Sequence, residues 1–279
     1  MEIIVPTTVE DHPYREFERV GWERAASSYA ASFEAITNLF AKQLLAAVGA
    51  GPRIKLLDVA CGSGYMAAMA ADSGAQVEAV DFSPNMVEVA TRRYPRLPFR
   101  MADAEALPFA DNTFDAVVIG FGVHHFPFPL RALAAARRVL RIGGRVAFTV
   151  WAPVEEHLFQ KVVVDAVREI GNPTASLPTA PAGAICEIET CLGLLRDSGF
   201  VLPPPRAETL TAFVPIESAL QLIQLLTDGT VRMSSLIRSL PQEKRALLPM
   251  AVEREMERFR QGDVFKVPAA AILAVGVKA

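Results

Sequence analysis

LLDVACGSGYMAAMAA, residues 56–71, is the stretch that decides the fold. An apolar run closes on Asp58, glycines follow at positions 62 and 64, and an alanine-rich helical pattern resumes behind them. That order predicts a strand, a tight turn and a helix opening onto a small molecule. Gly62-x-Gly64-x-x-Ala67 fits the loose dinucleotide fingerprint G-x-G-x-x-G/A, so the glycines alone leave the ligand class undecided.

The same alternation continues downstream. Apolar runs at KLLDVA (55–60), QVEAVD (76–81), FRMAD (99–103), FDAVVIG (114–120) and GRVAFTVW (144–151) predict strands. Helices are expected between them near 64–73, 84–92 and 129–140. Short strands alternating with helices predict an α/β fold built on a parallel sheet with right-handed crossovers. Ahead of this unit, residues 15–48 read as helical, with Phe33, Ile36, Phe40, Leu44 and Val48 spaced three and four apart. Beyond Trp151 the regularity fails. A helix is expected at 154–171, a Pro/Ala/Gly-rich loop at 172–186 and a helix at 189–199. ETLTAFVP (208–215) and AAAILAVGVK (269–278) are two more strand candidates, with a helical stretch between them. The resulting division is an N-terminal helical cover (1–50), a nucleotide-binding core (51–151), helices with a sixth strand (152–215), a helical lid (216–263) and a last strand (264–279).

Composition narrows the partners. Of the 279 residues 51% are hydrophobic, enough for a large core, and 31 acids against 28 bases leave a net charge of −3. No basic track suggests a nucleic-acid partner. The three cysteines, Cys61, Cys186 and Cys191, form no C-x-x-C pair, which argues against a disulfide framework and against a metal site. The segment MEIIVPTTVEDHPYREF (1–17) lacks the apolar core of a signal peptide, and no uninterrupted apolar run of about 18 residues is present. A soluble, cytoplasmic chain is expected, and a homodimer stays open.

The acids around the glycine loop separate the cofactor classes. A pyrophosphate at a helix N-terminus is disfavoured by nearby negative charge. Here Asp58 ends the first strand and Asp103 ends the third, so both are expected at the carboxyl ends of the strands, where ligands of open α/β sheets bind. Two carboxylates there favour a cation or a ligand rich in N–H and O–H donors. S-adenosylmethionine, with a sulfonium, an ammonium, ribose hydroxyls and an adenine amino group, suits them. Asp81, 17 residues after Gly64 at the end of the second strand, is placed to accept from ribose hydroxyls, and Phe82 and Met86 to pack on adenine.

LLDVACGSG, VEAVDFSPNMVEVA, MADAEALPFADNTFDAVV and ALAAARRVLRIGGRVAFTVW, in that order, resemble the successive motifs of class I S-adenosylmethionine-dependent methyltransferases, and more narrowly the branch around the ubiquinone/menaquinone C-methyltransferases. The resemblance covers residues 54–151 and extends weakly to both termini. It implies a Rossmann-like seven-stranded, mostly parallel sheet whose last strand is antiparallel. Carried over by position, Asp58, Gly62 and Gly64 hold the methionine end and Asp81 the ribose. Ala102, Asp103 and Ala104 edge the adenine, and Gly120 and Phe121 flank the sulfonium.

The acceptor side is less defined. GFGVHHFPFPLRAL (120–133) puts His124 and His125 after the fourth strand, as candidates for a substrate-facing or base role. In an extended segment only one of the two would face the acceptor. Phe128-Pro129 stands where the resembling family often has Asp-Pro, so a helix cap is lost and an aromatic gained. Trp22 and Tyr29 share a helical face, and Tyr29 can reach either the methionine carboxylate or the methyl group. Arg232 lies among apolar lid positions as a candidate partner for an acidic acceptor. Phe121, Phe126, Phe128, Trp151 and Phe159 suggest a greasy pocket. The reading is a methyltransferase acting on oxygen or carbon of a small hydrophobic molecule. The alternative is a non-catalytic module that binds S-adenosylmethionine or S-adenosylhomocysteine.

Overall fold

A computed structural model describes residues 12–171 and 177–279, so the reading of the first eleven residues and of part of the 172–186 loop lies outside the described residues. The predicted strands form one mixed sheet: β1 (Lys55–Val59), β2 (Gln76–Asp81), β3 (Phe99–Met101), β4 (Phe114–Gly120), β5 (Leu140–Trp151), β6 (Ala207–Ile216) and β8 (Val264–Val277). Their order is β3-β2-β1-β4-β5-β8-β6, and a two-residue β7 (Arg260–Gln261) folds back on β8. The sheet is therefore eight-stranded by one short hairpin arm beyond the seven expected.

β1 to β5 run parallel, and β8 is antiparallel to both β5 and β6. Leu56, Leu57 and Val59 of β1 are at most 1% exposed, as expected of a central strand covered on both faces. β8 is nearly all apolar, from Ala269 to Val275, because it too lies inside the sheet, with α7 (Leu158–Ile170) and α8 (Ile188–Asp197) packed on it. β5 starts at Leu140, four residues before the run read from the sequence, and α6 (Pro129–Val139) ends there. The remaining crossovers are α4 (Tyr65–Asp72) and α5 (Pro84–Arg93).

The segment read as helical over 15–48 is helical, but not as one rod. It is broken into α1 (Pro13–Ala31), α2 (Glu34–Thr37), a 3-10 turn and α3 (Ala41–Ala47). Ser32 leaves the helical region at φ −141° and ψ −75°. The break swings Phe33 into the core, where it meets the rings of Trp151 and Phe159 at 6.1 and 6.3 Å. Burial of an aromatic ring contributes about 2–3 kcal/mol, more than the few tenths held by one exposed helical turn. Gly229 makes room for this turn, since a Cβ there would lie 2.1 Å from that of Phe33. One segment thereby lays α1 across the strand ends and packs α3 on the sheet face over β4 and β5.

Residues 216–263 hold α9 (Ala219–Gly229), α10 (Arg232–Arg238) and α11 (Gln242–Met256), with β7 behind them. Their apolar faces join α7, β6 and the start of β8 in a hydrophobic cluster that also takes in Phe33, Phe40 and Phe121. No described helix is long and apolar enough to cross a membrane.

Candidate active site

Strand order reverses between β1 and β4, and the loops leaving these strands part to open a crevice. Backbone strain is concentrated there. Ala60 (φ 57°), just after β1, and Phe121 (φ 55°), just after β4, both hold left-handed conformations that a side chain disfavours. Phe121 is held in place by its N–H, which lies 3.1 Å from both the carbonyl and the Oγ1 of Thr149. Gly62 and Gly64 are also left-handed, at φ 54° and 88°. A Cβ on Gly64 would lie 2.7 Å from the Phe99 ring, so this glycine lets α4 sit close to the sheet.

A cavity of about 560 Å³ fills the crevice, within the range of small-molecule sites. Asp58, Gly62, Asp81, Phe82, Met86, Ala102, Asp103, Ala104, Gly120, Phe121, His124, His125 and Tyr29 all line it. Gly64, one residue beyond the lining loop, caps the N-terminus of α4.

The carboxylates in the wall differ in their partners. Asp58 is 1% exposed and neither oxygen makes a hydrogen bond. Burial pushes its pKa well above the ordinary carboxylate range, the charge of Asp81 adds to the rise, and the Ala67 N–H in the first turn of α4 opposes it. Asp81 accepts from the Gly62 N–H through Oδ2 and from the Ser83 N–H through Oδ1, each at 2.9 Å. Burial still raises it to about 6. Asp103 is bound by Arg15 of α1 at 2.5 Å, and its Oδ1 takes the Glu105 N–H. The carboxylate expected on the adenine amino group is thus already paired within the protein. Glu105 completes the arrangement, holding Arg15 at 2.8 Å and taking the Phe128 N–H at 3.0 Å, while α6 itself has no side-chain cap.

The two histidines correct the extended-segment expectation. Residues 123–125 form a 3-10 turn, so both rings stand on the cavity side with centroids 4.1 Å apart. His124 has a buried Nδ1 without a partner, and desolvation holds its imidazole well below the usual range, hence neutral. Its carbonyl takes the Tyr14 hydroxyl at 2.8 Å. His125 places Nδ1 2.9 Å from Glu18 Oε2, and Trp22 stands edge-on to its ring at 5.1 Å. Trp22 Nε1 donates to the same Glu18 oxygen at 3.1 Å.

Tyr29 does share a face with Trp22, at a ring separation of 5.6 Å. Its hydroxyl is hydrogen-bonded to Thr37 Oγ1 at 2.9 Å, and burial raises its pKa, so it is a neutral group in the cavity wall. Beyond β4, Phe121 packs on Trp151 at 4.1 Å, and Trp151 stacks on His157 at 4.3 Å. Burial pushes His157 down to about 3, and its Nδ1 takes the Ala270 N–H. Arg232 lies at the cavity mouth, donating to the Pro178 carbonyl at 2.8 Å. Cys61 is a buried packing residue whose thiol is raised well above its usual range.

Sequence reasoning missed Glu18, Arg15 and the Glu34–Arg93–Ser63 network. Arg93 grips both oxygens of Glu34 at 2.8 Å, and Ser63 donates to the same carboxylate. Glu18 and Glu34 are buried acids, and one sequence gives no view of burial.

With Glu34 neutralised by Arg93, and Asp103 and Glu105 by Arg15, the acids Asp58, Asp81 and Glu18 in this wall have no arginine or lysine partner among the described residues. Two orphaned oxygens on Asp58 fit an ammonium or another multiple N–H donor. No group of three ligating side chains that could hold a metal occurs among the described residues.

Residues 57–148 match the family model described as methyltransferase domain. The match runs from β1 into β5 and so covers the strands that open the acidic crevice. Among curated relatives, the demethylmenaquinone methyltransferase of Renibacterium salmoninarum is 39% identical over 148 residues, which is 52% of this chain and 62% of that protein. The chain thus spans less than two thirds of the length of the curated relative it matches. Two solved structures share the fold. The YcgJ protein of Bacillus subtilis is 19% identical with a TM-score of 0.54, over 87% of this chain and 97% of its own. Geranyl diphosphate C-methyltransferase of Streptomyces coelicolor, in complex with Mg2+, geranyl diphosphate and S-adenosyl-L-homocysteine, is 17% identical with a TM-score of 0.53, over 99% and 100%.

Proposed function

We propose that this chain transfers the methyl group of S-adenosylmethionine to an oxygen or carbon of a small, hydrophobic, aromatic acceptor. The observation that carries the proposal is Asp58: a carboxylate buried at the strand switch with no side-chain partner, beside a cavity whose lining includes Trp22, Tyr29, Phe82, Phe121 and Trp151. When bound, the sulfonium cofactor supplies an activated methyl group to whatever nucleophile is aligned with it.

The chain's own residues bind, orient and exclude water. Asp58 with the Gly62–Gly64 loop would hold the methionine end, and Asp81 the ribose hydroxyls. Phe82, Met86, Ala102 and Ala104 would hold the adenine, with Asp103 acting through its grip on Arg15. Gly120 and Phe121 would flank the methyl group. Phe121 and Trp151 would form the apolar wall against which an aromatic acceptor stacks. Burial of the reacting atoms in such a slot supplies proximity and desolvation, which carry much of the rate for a strongly activated donor. Residues 216–263 are read as the lid over this slot, with 1–50 as the cover on the cofactor side.

The name of the curated relatives supports a quinol-like acceptor, and the neutral aromatic lining agrees with it. Three free cysteines support a reducing compartment. The test is calorimetric titration with S-adenosylmethionine, S-adenosylhomocysteine and NADH, followed by turnover on 1,4-naphthalenediol, 2-naphthol and catechol. Binding of the first two with methylation of a phenolic acceptor is expected. Binding without turnover on any acceptor would favour the non-catalytic module, and binding of NADH alone would overturn the cofactor assignment.

A further inference from the structure

Beside the cofactor crevice, a carboxylate, an indole and an imidazole from distant parts of the chain meet at one point. Glu18 of α1 is 2% exposed. It has no arginine or lysine partner; its Oε2 faces His125 Nδ1 at 2.9 Å and takes the Trp22 Nε1–H at 3.1 Å. An acid buried this deeply costs stability unless it is paired, so its retention here calls for a role. His125 lines the cavity; its buried Nδ1 makes no full hydrogen bond, and among the described residues its Nε2 has none either.

From this geometry we infer that His125 is a general base toward the acceptor and that Glu18, braced by Trp22, is the positioning residue that fixes its ring. The inference rests on the methyltransferase reading and deepens it: the acceptor class becomes one that must lose a proton, a phenol or an acidic C–H. The proton leaves the acceptor for Nε2, and the electron pair stays on the acceptor oxygen or carbon as the nucleophile. The imidazolium formed is neutralised by Glu18 across Nδ1–H, and it gives the proton to water when the site opens. The Nδ1 to Oε2 approach is bent in the free protein, and such contacts tighten when substrate fills the site.

His124 is the poorer base. No carboxylate pairs with it, and burial, with the charges of His125 and Arg232, acts against its protonation. The titratable and charged groups around His125 are Glu18 and Tyr14 of α1, His124 of its own turn, Asp81 at the end of β2, and Arg232 at the start of α10.

The test reads proton transfer without turnover. 4-Nitrophenol is added to the protein saturated with S-adenosylhomocysteine, at a pH where the free probe is a phenol, and its phenolate absorption is recorded. Wild type should bind the probe as phenolate. His125→Gln should abolish the phenolate band. Glu18→Gln, which can keep the bond from Trp22 but loses the charge, should lower the phenolate-to-phenol ratio at least about tenfold, as expected from a histidine that loses an adjacent carboxylate. Thermal melts establish that both variants are folded; if Glu18→Gln does not fold, His125→Gln alone decides. A bound probe that stays protonated, a band unchanged in His125→Gln, or no binding of the probe at all overturns the inference. Failure of S-adenosylmethionine to bind would instead overturn the proposed function, and the probe arm would then be read on the protein alone.

Discussion

Replacing Asp58 by Asn separates what this carboxylate does for the ligand from what it does to the fold. Both oxygens are buried and unpartnered, so the free protein carries an unsatisfied acid at the end of β1. Its folded pKa lies well above the unfolded value, so folding takes up a proton between the two values. The stability penalty is therefore small at low pH and grows as pH rises through that window. An unsatisfied buried polar group costs about 1–3 kcal/mol, and the amide, itself short of partners, should recover about 1 kcal/mol of it. In a chain of this size that corresponds to a melting temperature higher by about 2 °C at about pH 8, with the gain shrinking as pH falls. Cofactor affinity should move the other way. Hydrogen bonds to a charged group are worth about 1.5–3 kcal/mol, so Kd for S-adenosylmethionine should rise roughly 10- to 150-fold. Differential scanning fluorimetry of the ligand-free protein and calorimetric titration read the two effects. A variant less stable than wild type that binds the cofactor unchanged would refute the reasoning, because Asp58 would then be a structural acid.

Asp81, raised to about 6 by burial, should release a proton when a hydroxyl-rich cation binds; below about pH 6 affinity should fall towards tenfold per pH unit, and titrations in buffers of different ionisation enthalpy would show that proton. Affinity that stays flat across that range would remove Asp81 from the binding set. Gly64→Ala forces a side chain into a left-handed position 2.7 Å from the Phe99 ring and should lower stability by about 2–4 kcal/mol, seen as a melting point lower by several degrees. Arg15→Ala cuts the tie of α1 to Asp103 and Glu105; both pairs are partly exposed, so a loss near 1 kcal/mol is expected, read as about fivefold faster release of S-adenosylhomocysteine in stopped flow. An unchanged release rate would mean that α1 does not gate the site.

Much of the fold was legible because its signals are local. The acid, glycine and alanine order at 56–71, and the period-two and period-3.6 runs after it, need only neighbours within a few residues to be read. Where the reading failed, a distant contact outweighed local preference. Residues 15–48 carry a helical repeat throughout, yet the helix breaks at Ser32 because Phe33 gains more in the core with Trp151 and Phe159. The histidine pair was read as extended, and the 3-10 turn after the strained Phe121 put both rings on one wall.

The sequence by itself determined the doubly covered sheet, the position of the cofactor crevice and the acids at its strand ends. Those follow from hydrophobic periodicity and from where glycines and aspartates fall on it. The tertiary structure alone decided which acids stay free. Arg15 reaches 88 residues along the chain to occupy Asp103, Arg93 reaches 59 to occupy Glu34, and Tyr14 reaches 110 to pin the His124 carbonyl. Whether a carboxylate is spent on a protein cation or left for a ligand depends on which side chains folding brings within hydrogen-bonding distance. That proximity has no trace in local sequence pattern, and it leaves Asp58 without a side-chain partner and Glu18 facing His125.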